Sequence, residues 1–242
     1  MKKKGRYRRV LLKLSGETLI GSQSFGIQQE MCLQVAHYLA SFHRSGIQLG
    51  VVIGGGNIFR GVDLREMGIP QTPADHMGML ATLFNAIAVQ QALMLSQTPV
   101  CVMSALECPK IAEPYHWTKA LQYLEQGTIV IFAGGTGNPY FTTDTAAALR
   151  ASEIGADVLL KATKVDGIYN KDPLKYPDAV KYETISYSQV LSDKLQVMDA
   201  TAVALCRSSQ IPLFVFNMHR LIKEPLESIL TDLTRGTWVN GQ

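Results

Sequence analysis

Cysteine is sparse in this sequence, and its placement offers neither the spacing of a metal site nor that of a disulfide framework. Cys32, Cys101, Cys108 and Cys206 are its four cysteines. None forms a C-x-x-C pair and three sit among apolar neighbours, which reads as buried thiols in a reducing compartment. There is no run of about 18 apolar residues. Nor is the basic start followed by a secretory apolar core, so a cytoplasmic protein with no membrane partner is expected. Charge of one sign is also in short supply. The net charge is only +3, and much of the basic excess falls in Lys2, Lys3, Lys4, Arg6, Arg8 and Arg9, a pattern that is more often a solvated tail than a nucleic-acid site.

Signatures of several common catalysts are missing too. No Gly-Lys dipeptide occurs, which excludes the P-loop of most nucleoside-monophosphate kinases. The dinucleotide fingerprint G-x-G-x-x-G fails, because Gly54 and Gly56 are followed by Phe59 where the third glycine belongs. No G-x-S-x-G elbow is present and the five histidines are scattered, so a hydrolase triad has no support. No dedicated metal cage is visible.

What is present is an alternation. Arg9–Leu14, Gln48–Ile53, Pro99–Met103, Thr128–Phe132, Val158–Ala162 and Leu213–Phe216 are short apolar runs, and the segments between them can hold helices. Glu30–Arg44 carries Met31, Val35, Leu39 and Phe42 at helical spacing, and Asp75–Ser96 places Met77, Leu80, Phe84, Ile87 and Leu95 on one side. Strands alternating with helices imply a parallel sheet covered on both faces. At 47% apolar residues the 242-residue chain can bury one sizeable core, so a single domain is expected over residues 1–242, with 1–8 a flexible basic tail. The stripe on the long helix exceeds what one core needs and suggests an oligomer contact.

Three glycine turns follow apolar runs: Leu14-Ser15-Gly16-Glu17, Gly54-Gly55-Gly56-Asn57 and Gly134-Gly135-Thr136-Gly137. Glycine lets a backbone approach a ligand closely, and the free N–H groups of a helix start present roughly half a positive charge to an anion. In parallel sheets ligands lie beyond the carboxyl ends of the strands, where all three turns fall. Phosphoryl transfer asks a protein to hold two ligands in line and to neutralise oxygens. Lys13 and Lys161 stand near strand ends, and Asp144 follows Thr142-Thr143 in a first helical turn. A Lys13–Asp144–Lys161 cluster is inferred; the plainer alternative is a helix-start carboxylate and two solvated lysines. The turn-rich stretch Thr163–Pro177 follows a strand and is placed to close over a nucleotide.

Five segments in order carry a resemblance: Leu12 to Glu17, Val52 to Gly61, Asp75 to Thr82, Gly135 to Asp144 and Lys161 to Tyr169. Over nearly its full length the chain resembles the amino acid kinase family, and within it the uridylate kinases. The resemblance implies a three-layer α/β/α sandwich with a central, mainly parallel sheet, and ATP-dependent phosphorylation of UMP to UDP in pyrimidine nucleotide biosynthesis. It implies that Lys13, Leu14, Ser15 and Gly16 meet the ATP phosphates, with Gly56 and Arg60 close to the transferred group. Thr163, Tyr169 and Asp172 would hold the adenosine part.

On the acceptor side it implies Gly55, Arg60, Asp75, Thr136, Gly137, Asn138, Pro139, Tyr140, Phe141, Thr142 and Thr143 around UMP. Arg60 would take the acceptor phosphate and Asp75 the ribose hydroxyls. Arg60 as a solvated loop arginine, Asp75 as a helix-start carboxylate and Tyr169 as simple packing are the alternatives. Asp199 is read as a cap rather than a catalytic group. The resemblance further implies Mg²⁺ held mainly by phosphates, a homohexamer built from dimers, and UTP as an inhibitor. In the loop Gly21–Ile27, Ser24 stands where relatives often have glycine and Gln28 where they have aspartate, so GTP activation is not carried over. His76 replaces an aromatic. Two rival functions stay open: a family kinase acting on a carboxylate or carbamate, and a nucleotide sensor without catalysis.

Overall fold

The computed structural model describes residues 7–59, 66–195, 197–220, 224 and 235–241. Its strands are β1 (Arg9–Leu14), β2 (Gln48–Ile53), β3 (Val100–Ser104), β4 (Glu113–Pro114), β5 (Ile129–Ala133), β6 (Val158–Thr163), β7 (Ile168–Tyr169), β8 (Lys181–Tyr182), β9 (Thr184–Ile185), β10 (Leu213–Asn217) and β11 (Gly236–Val239). Its helices are α1 (Gln29–Arg44), α2 (Gln71–Leu95), α3 (Trp117–Glu125), α4 (Thr143–Glu153), α5 (Tyr187–Ser192) and α6 (Ala200–Ser208). Nine strands form one sheet in the order β4-β3-β5-β2-β1-β6-β10-β11-β9, and β10–β11 is its antiparallel pair.

Alternation of side chains along each strand assigns the two faces. Leu12, Leu160 and Phe214 join α1 and α2 in one apolar layer, while Leu11, Leu159 and Leu213 pack with α3 through α6 in the other. The expected three-layer sandwich is therefore present. Its six main strands match the apolar runs to within a residue or so, because fully buried strands rich in β-branched residues leave a clear signal. The antiparallel β11 and the short β4, β7, β8 and β9 were not anticipated; two-residue strands carry no periodicity to read.

Two corrections concern α2. It begins at Gln71 after Pro70, four residues before the expected start, so Asp75 lies in its second turn. Most of its expected apolar stripe faces outward: Leu80, Phe84 and Leu95 are 47%, 60% and 76% exposed, Met77 and Ile87 are half-buried with Ile87 against the core, and Ala81, Ala86, Val89 and Leu93 face the core. A helix apolar on nearly every side gives no unique stripe, and small alanines let it lie close on the sheet. By length and composition α2 could cross a membrane, but half of that apolar window is buried in the domain, the pattern of a core helix. Cys32, Cys101 and Cys206 are buried and all four cysteines are free. Of the expected basic tail, residues 1–6 lie outside the described residues, and the Arg8 backbone N–H donates to Asp157 Oδ2 at 2.6 Å.

Candidate active site

Lys13 on β1 and Lys161 on β6 are register partners in neighbouring parallel strands. Both share the sheet face of Leu11 and Leu159, the face covered by α4. From that helix Asp144 meets Lys13 Nζ with Oδ1 at 2.9 Å and Lys161 Nζ with Oδ2 at 2.6 Å. Lys161 also donates to the Val197 carbonyl. The three side chains are 11%, 15% and 12% exposed in the order Lys13, Asp144, Lys161. The inferred cluster is thus real.

Burial alone would raise the Asp144 carboxyl, but Lys13 and Lys161 outweigh it and hold the group below the usual carboxylate range. Burial is the largest influence on Lys161, followed by the opposing attraction of Asp144 and then repulsion from Lys13; its ammonium gives up a proton more readily than an ordinary lysine. Two ammonium groups share this one carboxylate, with Asp199 also acting on Lys161. Both ammonium groups carry further N–H donors that suit a phosphate oxygen.

Around this cluster lie the glycine turns, at the carboxyl ends of β1, β2 and β5. Ser15 caps the 3₁₀ turn Gly16–Leu19, its hydroxyl accepting from Glu17 N. Leu14 is buried, and its carbonyl accepts from Gly54 N at 3.0 Å, which joins the first turn to the second. A Cβ on Gly16 would stand 2.3 Å from Asn57 Oδ1 and 2.4 Å from Gly54 O, so only glycine fits there. A Cβ on Gly55 would strike α2 at Gly78 O, 2.7 Å away, whereas one on Gly56 would meet no atom of the described residues within 4 Å. Gly55 is therefore a packing position, and Gly56 borders open space.

On the acceptor side, Asp75 accepts from Gln71 Nε2 at 2.8 and 2.9 Å and from Tyr140 N at 2.8 Å. The carboxylate expected to take ribose hydroxyls thus also ties α2 to the 136–143 loop. Within that loop Gly137 N donates to Gly134 O, and Thr136 Oγ1 both donates to Asn138 O and accepts from Asn138 N. Pro139 then leads to Tyr140, which takes a left-handed φ of 71°. Tyr140 and Phe141 are exposed. Thr142 caps α4 by accepting from Asp144 N and Thr145 N, which aims Asp144 inward, while Thr143 Oγ1 faces Gly54.

On the donor side, Thr163 ends β6 on the same face as Lys161, its carbonyl accepting from Met218 N at 2.7 Å. The turn-rich stretch beyond it forms the β7–β8 hairpin. Tyr169 gives its hydroxyl to Asp166, and burial with that bond pushes its pKa up to about 12. Asp172 caps a local turn, accepting from Leu174 N at 3.0 Å. The polar atoms of both residues already have partners inside the hairpin. Arg60 lies outside the described residues.

Asp199 caps α6 through Ala202 N, as expected, and its carboxylate also accepts from the Thr142 and Thr145 hydroxyls. Sequence reasoning missed three supports. Buried Asn85 of α2 pairs with Asn57, Thr82 accepts from Gly134 N at 2.9 Å, and buried Arg150 lies 3.6 Å over the Tyr115 ring while pairing with Glu153. A polar residue on the inner side of an alanine-rich helix is the signal that would have found Asn85. A cavity of about 1160 Å³ lies at the amino ends of β1, β6 and β10 among Tyr7, Arg207 and Trp238, remote from these groups. Chemistry, not cavity size, locates the site.

Many known proteins are similar to this chain. The model of the amino acid kinase family matches residues 8–217. A uridylate kinase of Protochlamydia amoebophila is 69% identical over 233 residues, covering 96% of this chain and 93% of that protein. One from Dichelobacter nodosus is 52% identical over 219 residues, covering 90% and 91%. The crystal structure of UMP kinase from Bacillus anthracis superposes with a TM-score of 0.90 at 36% identity, covering 97% of this chain and 96% of that one. UMP kinase from Ureaplasma parvum gives a TM-score of 0.90 at 35% identity, covering 98% and 100%. The chain belongs to the amino acid kinase family, and within it to the uridylate kinases.

Proposed function

We propose that this protein transfers the γ-phosphate of ATP to the phosphate of UMP, giving ADP and UDP, and so supplies pyrimidine nucleotide biosynthesis. The observation that carries the reading is the buried Lys13–Asp144–Lys161 cluster among three glycine turns at the carboxyl ends of the central strands. An acceptor phosphate is already an anionic nucleophile, so no strong general base is required. An acceptor oxygen attacks the γ-phosphorus, the bond to the β,γ-bridging oxygen breaks, and ADP leaves with that electron pair. Lys13 and Lys161 stabilise charge on the moving phosphoryl group, and Asp144 holds both ammonium groups in place.

In this reading the N–H groups of Ser15 and Gly16 meet the ATP phosphates, the open space at Gly56 borders the transferred group, and Arg60 takes the acceptor phosphate. Asp75 and the 136–143 loop surround the UMP ribose and base. Thr163, the Tyr169 ring and Asp172 border adenosine. Among the described residues no group of three His, Cys, Asp or Glu side chains could hold a metal. A Mg²⁺ ion would be held mainly by the ATP phosphates, where it would shield their charge, and Asp144 would orient a water bound to it. Its outward stripe makes α2 the contact proposed for the homohexamer, and UTP is the proposed inhibitor through the UMP pocket. The setting is the cytoplasm.

The test is ADP release with MgATP against UMP, CMP, dCMP, acetylglutamate, aspartate and carbamate, with products identified by mass. UDP from UMP is the expected outcome. Turnover of a carboxylate or carbamate instead, or tight nucleotide binding with no turnover at all, would overturn it.

A further inference from the structure

Asn57 and Asn85 form a closed pair of amides inside the core. Asn57 Nδ2 donates to Asn85 Oδ1 at 2.9 Å, and Asn85 Nδ2 donates back to Asn57 Oδ1 at 2.7 Å. Each keeps one further N–H. Asn57 gives its to Gly26 O at 2.9 Å, and Asn85 gives its to Gly54 O at 2.7 Å. Both residues are buried, at 2% and 0% exposure. All four donors of the two amides are used, so neither a carboxylate nor an aliphatic side chain can reproduce the pattern. The carbonyl of Gly54 fixes which way Asn85 points, since the flipped amide would set two acceptors against each other.

Its surroundings separate this pair from ordinary core packing. Gly54 opens the turn that holds Gly55 and Gly56. Gly16 lies directly on the pair, since its missing Cβ would stand 2.3 Å from Asn57 Oδ1 and 3.0 Å from Asn85 Nδ2. Gly26 is gripped twice, by Asn57 Nδ2 and through its own N–H to Asn57 O at 2.7 Å. The amides therefore border both the turn assigned to the ATP phosphates and the turn placed at the transferred group. One helical turn before Asn85, Thr82 of α2 accepts from Gly134 N of the third glycine turn. Fully satisfied buried polar networks specify one arrangement where apolar packing tolerates several.

We propose that Asn85, acting through Asn57, is a positioning residue for phosphoryl transfer: it sets the separation of the Ser15–Gly16 turn from the Gly54–Gly56 turn, and hence of donor from acceptor. The proposal rests on the kinase reading. An inactive wild-type protein would remove that reading, whereas an active one leaves this claim to be judged by the variants below.

A misplacement on the order of 1 Å between reacting groups costs about 100-fold in rate. The test compares Asn85→Ala with Val89→Ala, a truncation of a residue fully buried one turn further along the same helix. For each, kcat with MgATP and UMP, the Kd of each nucleotide alone and the melting temperature are measured. The expected result for Asn85→Ala is a kcat lower by about 100-fold. Each single-nucleotide Kd should change by less than about threefold, because each turn still holds its own ligand. Val89→Ala should keep kcat within about twofold at a similar melting temperature. The double variant Asn57→Ala/Asn85→Ala should be no slower than Asn85→Ala, since the amides act as a unit. Should Asn85→Ala not fold, Asn85→Ser is read in the same way. A kcat for the Asn85 variant equal to that of Val89→Ala, or a loss confined to one nucleotide's Kd, would overturn the proposal.

Discussion

Lys13 and Lys161 face each other in register across β1 and β6, and their ammonium groups close on the two oxygens of a single carboxylate, Asp144. Two like charges side by side in a protected site repel unless a counter-charge lies between them. Asp144 supplies one such charge. The N–H donors that Asp144 leaves unused on the two ammonium groups suit an anion.

Asp144→Asn removes that counter-charge, and breaking a buried charge network of this kind costs about 3–5 kcal/mol at pH 7. The sign of the pH dependence follows from the depressed carboxyl. Its stabilisation is complete above the unfolded value near about 4 and is lost as the pH falls through the lower folded value. Urea melts should therefore show the gap between wild type and Asp144→Asn narrowing steadily from about pH 5 downward. A gap that stays constant down to acid pH would contradict this.

Gly16→Ala and Gly56→Ala should behave oppositely in thermal melts. The first drives a methyl to 2.3 Å from Asn57 Oδ1 and 2.4 Å from Gly54 O, and should cost about 1–3 kcal/mol in overpacking as well as most of the turnover. The second meets nothing within 4 Å among the described residues and should leave stability within about 0.5 kcal/mol. Its methyl enters the space proposed for phosphate, so KM or kcat should suffer. Equal melting temperatures for the two variants would refute the assignment.

These contrasts show what the sequence made legible. The six buried strands could be read because apolar runs punctuated by turns leave few alternatives, and strand ends then placed Lys13, Lys161 and the glycine turns toward the carboxyl end of the sheet. Asp144 followed from helix-start logic. The inner face of α2 was not legible: with Leu80 and Phe84 outside and Ala81, Ala86 and Val89 inside, hydrophobicity points both ways and close packing decides. The second duty of Asp75, holding Tyr140 N, and the partnership of Asn57 with Asn85 depend on contacts 65 and 28 residues apart in the chain. No local pattern encodes them.

Asp75→Ala should separate the two substrates. It frees Tyr140 N and loosens the 136–143 loop, so the KM for UMP should rise about tenfold or more, the scale of one hydrogen bond to a charged group. The KM for ATP should stay within about twofold in the same initial-rate experiment. Parallel increases for both nucleotides would place Asp75 elsewhere in the account.

Tyr169 invites a similar comparison. Its hydroxyl is held by Asp166, so Tyr169→Phe should cost the β7–β8 hairpin about 1 kcal/mol yet keep the KM for ATP within about threefold. Tyr169→Ala should raise that KM more, by removing the ring proposed to lie beside adenine. If Phe and Ala weaken ATP equally, the hydroxyl and not the ring makes the contact.

The most direct test of the central claim is the rate of UDP formation from MgATP and UMP by the wild-type protein and by Lys13→Ala. Turnover in the wild type is expected, with a kcat lower by about 100-fold or more in the variant, the scale of losing one charge-stabilising group. Circular dichroism should show the variant folded, because Lys161 still pairs with Asp144. A folded Lys13→Ala protein that phosphorylates UMP at the wild-type rate would contradict the account.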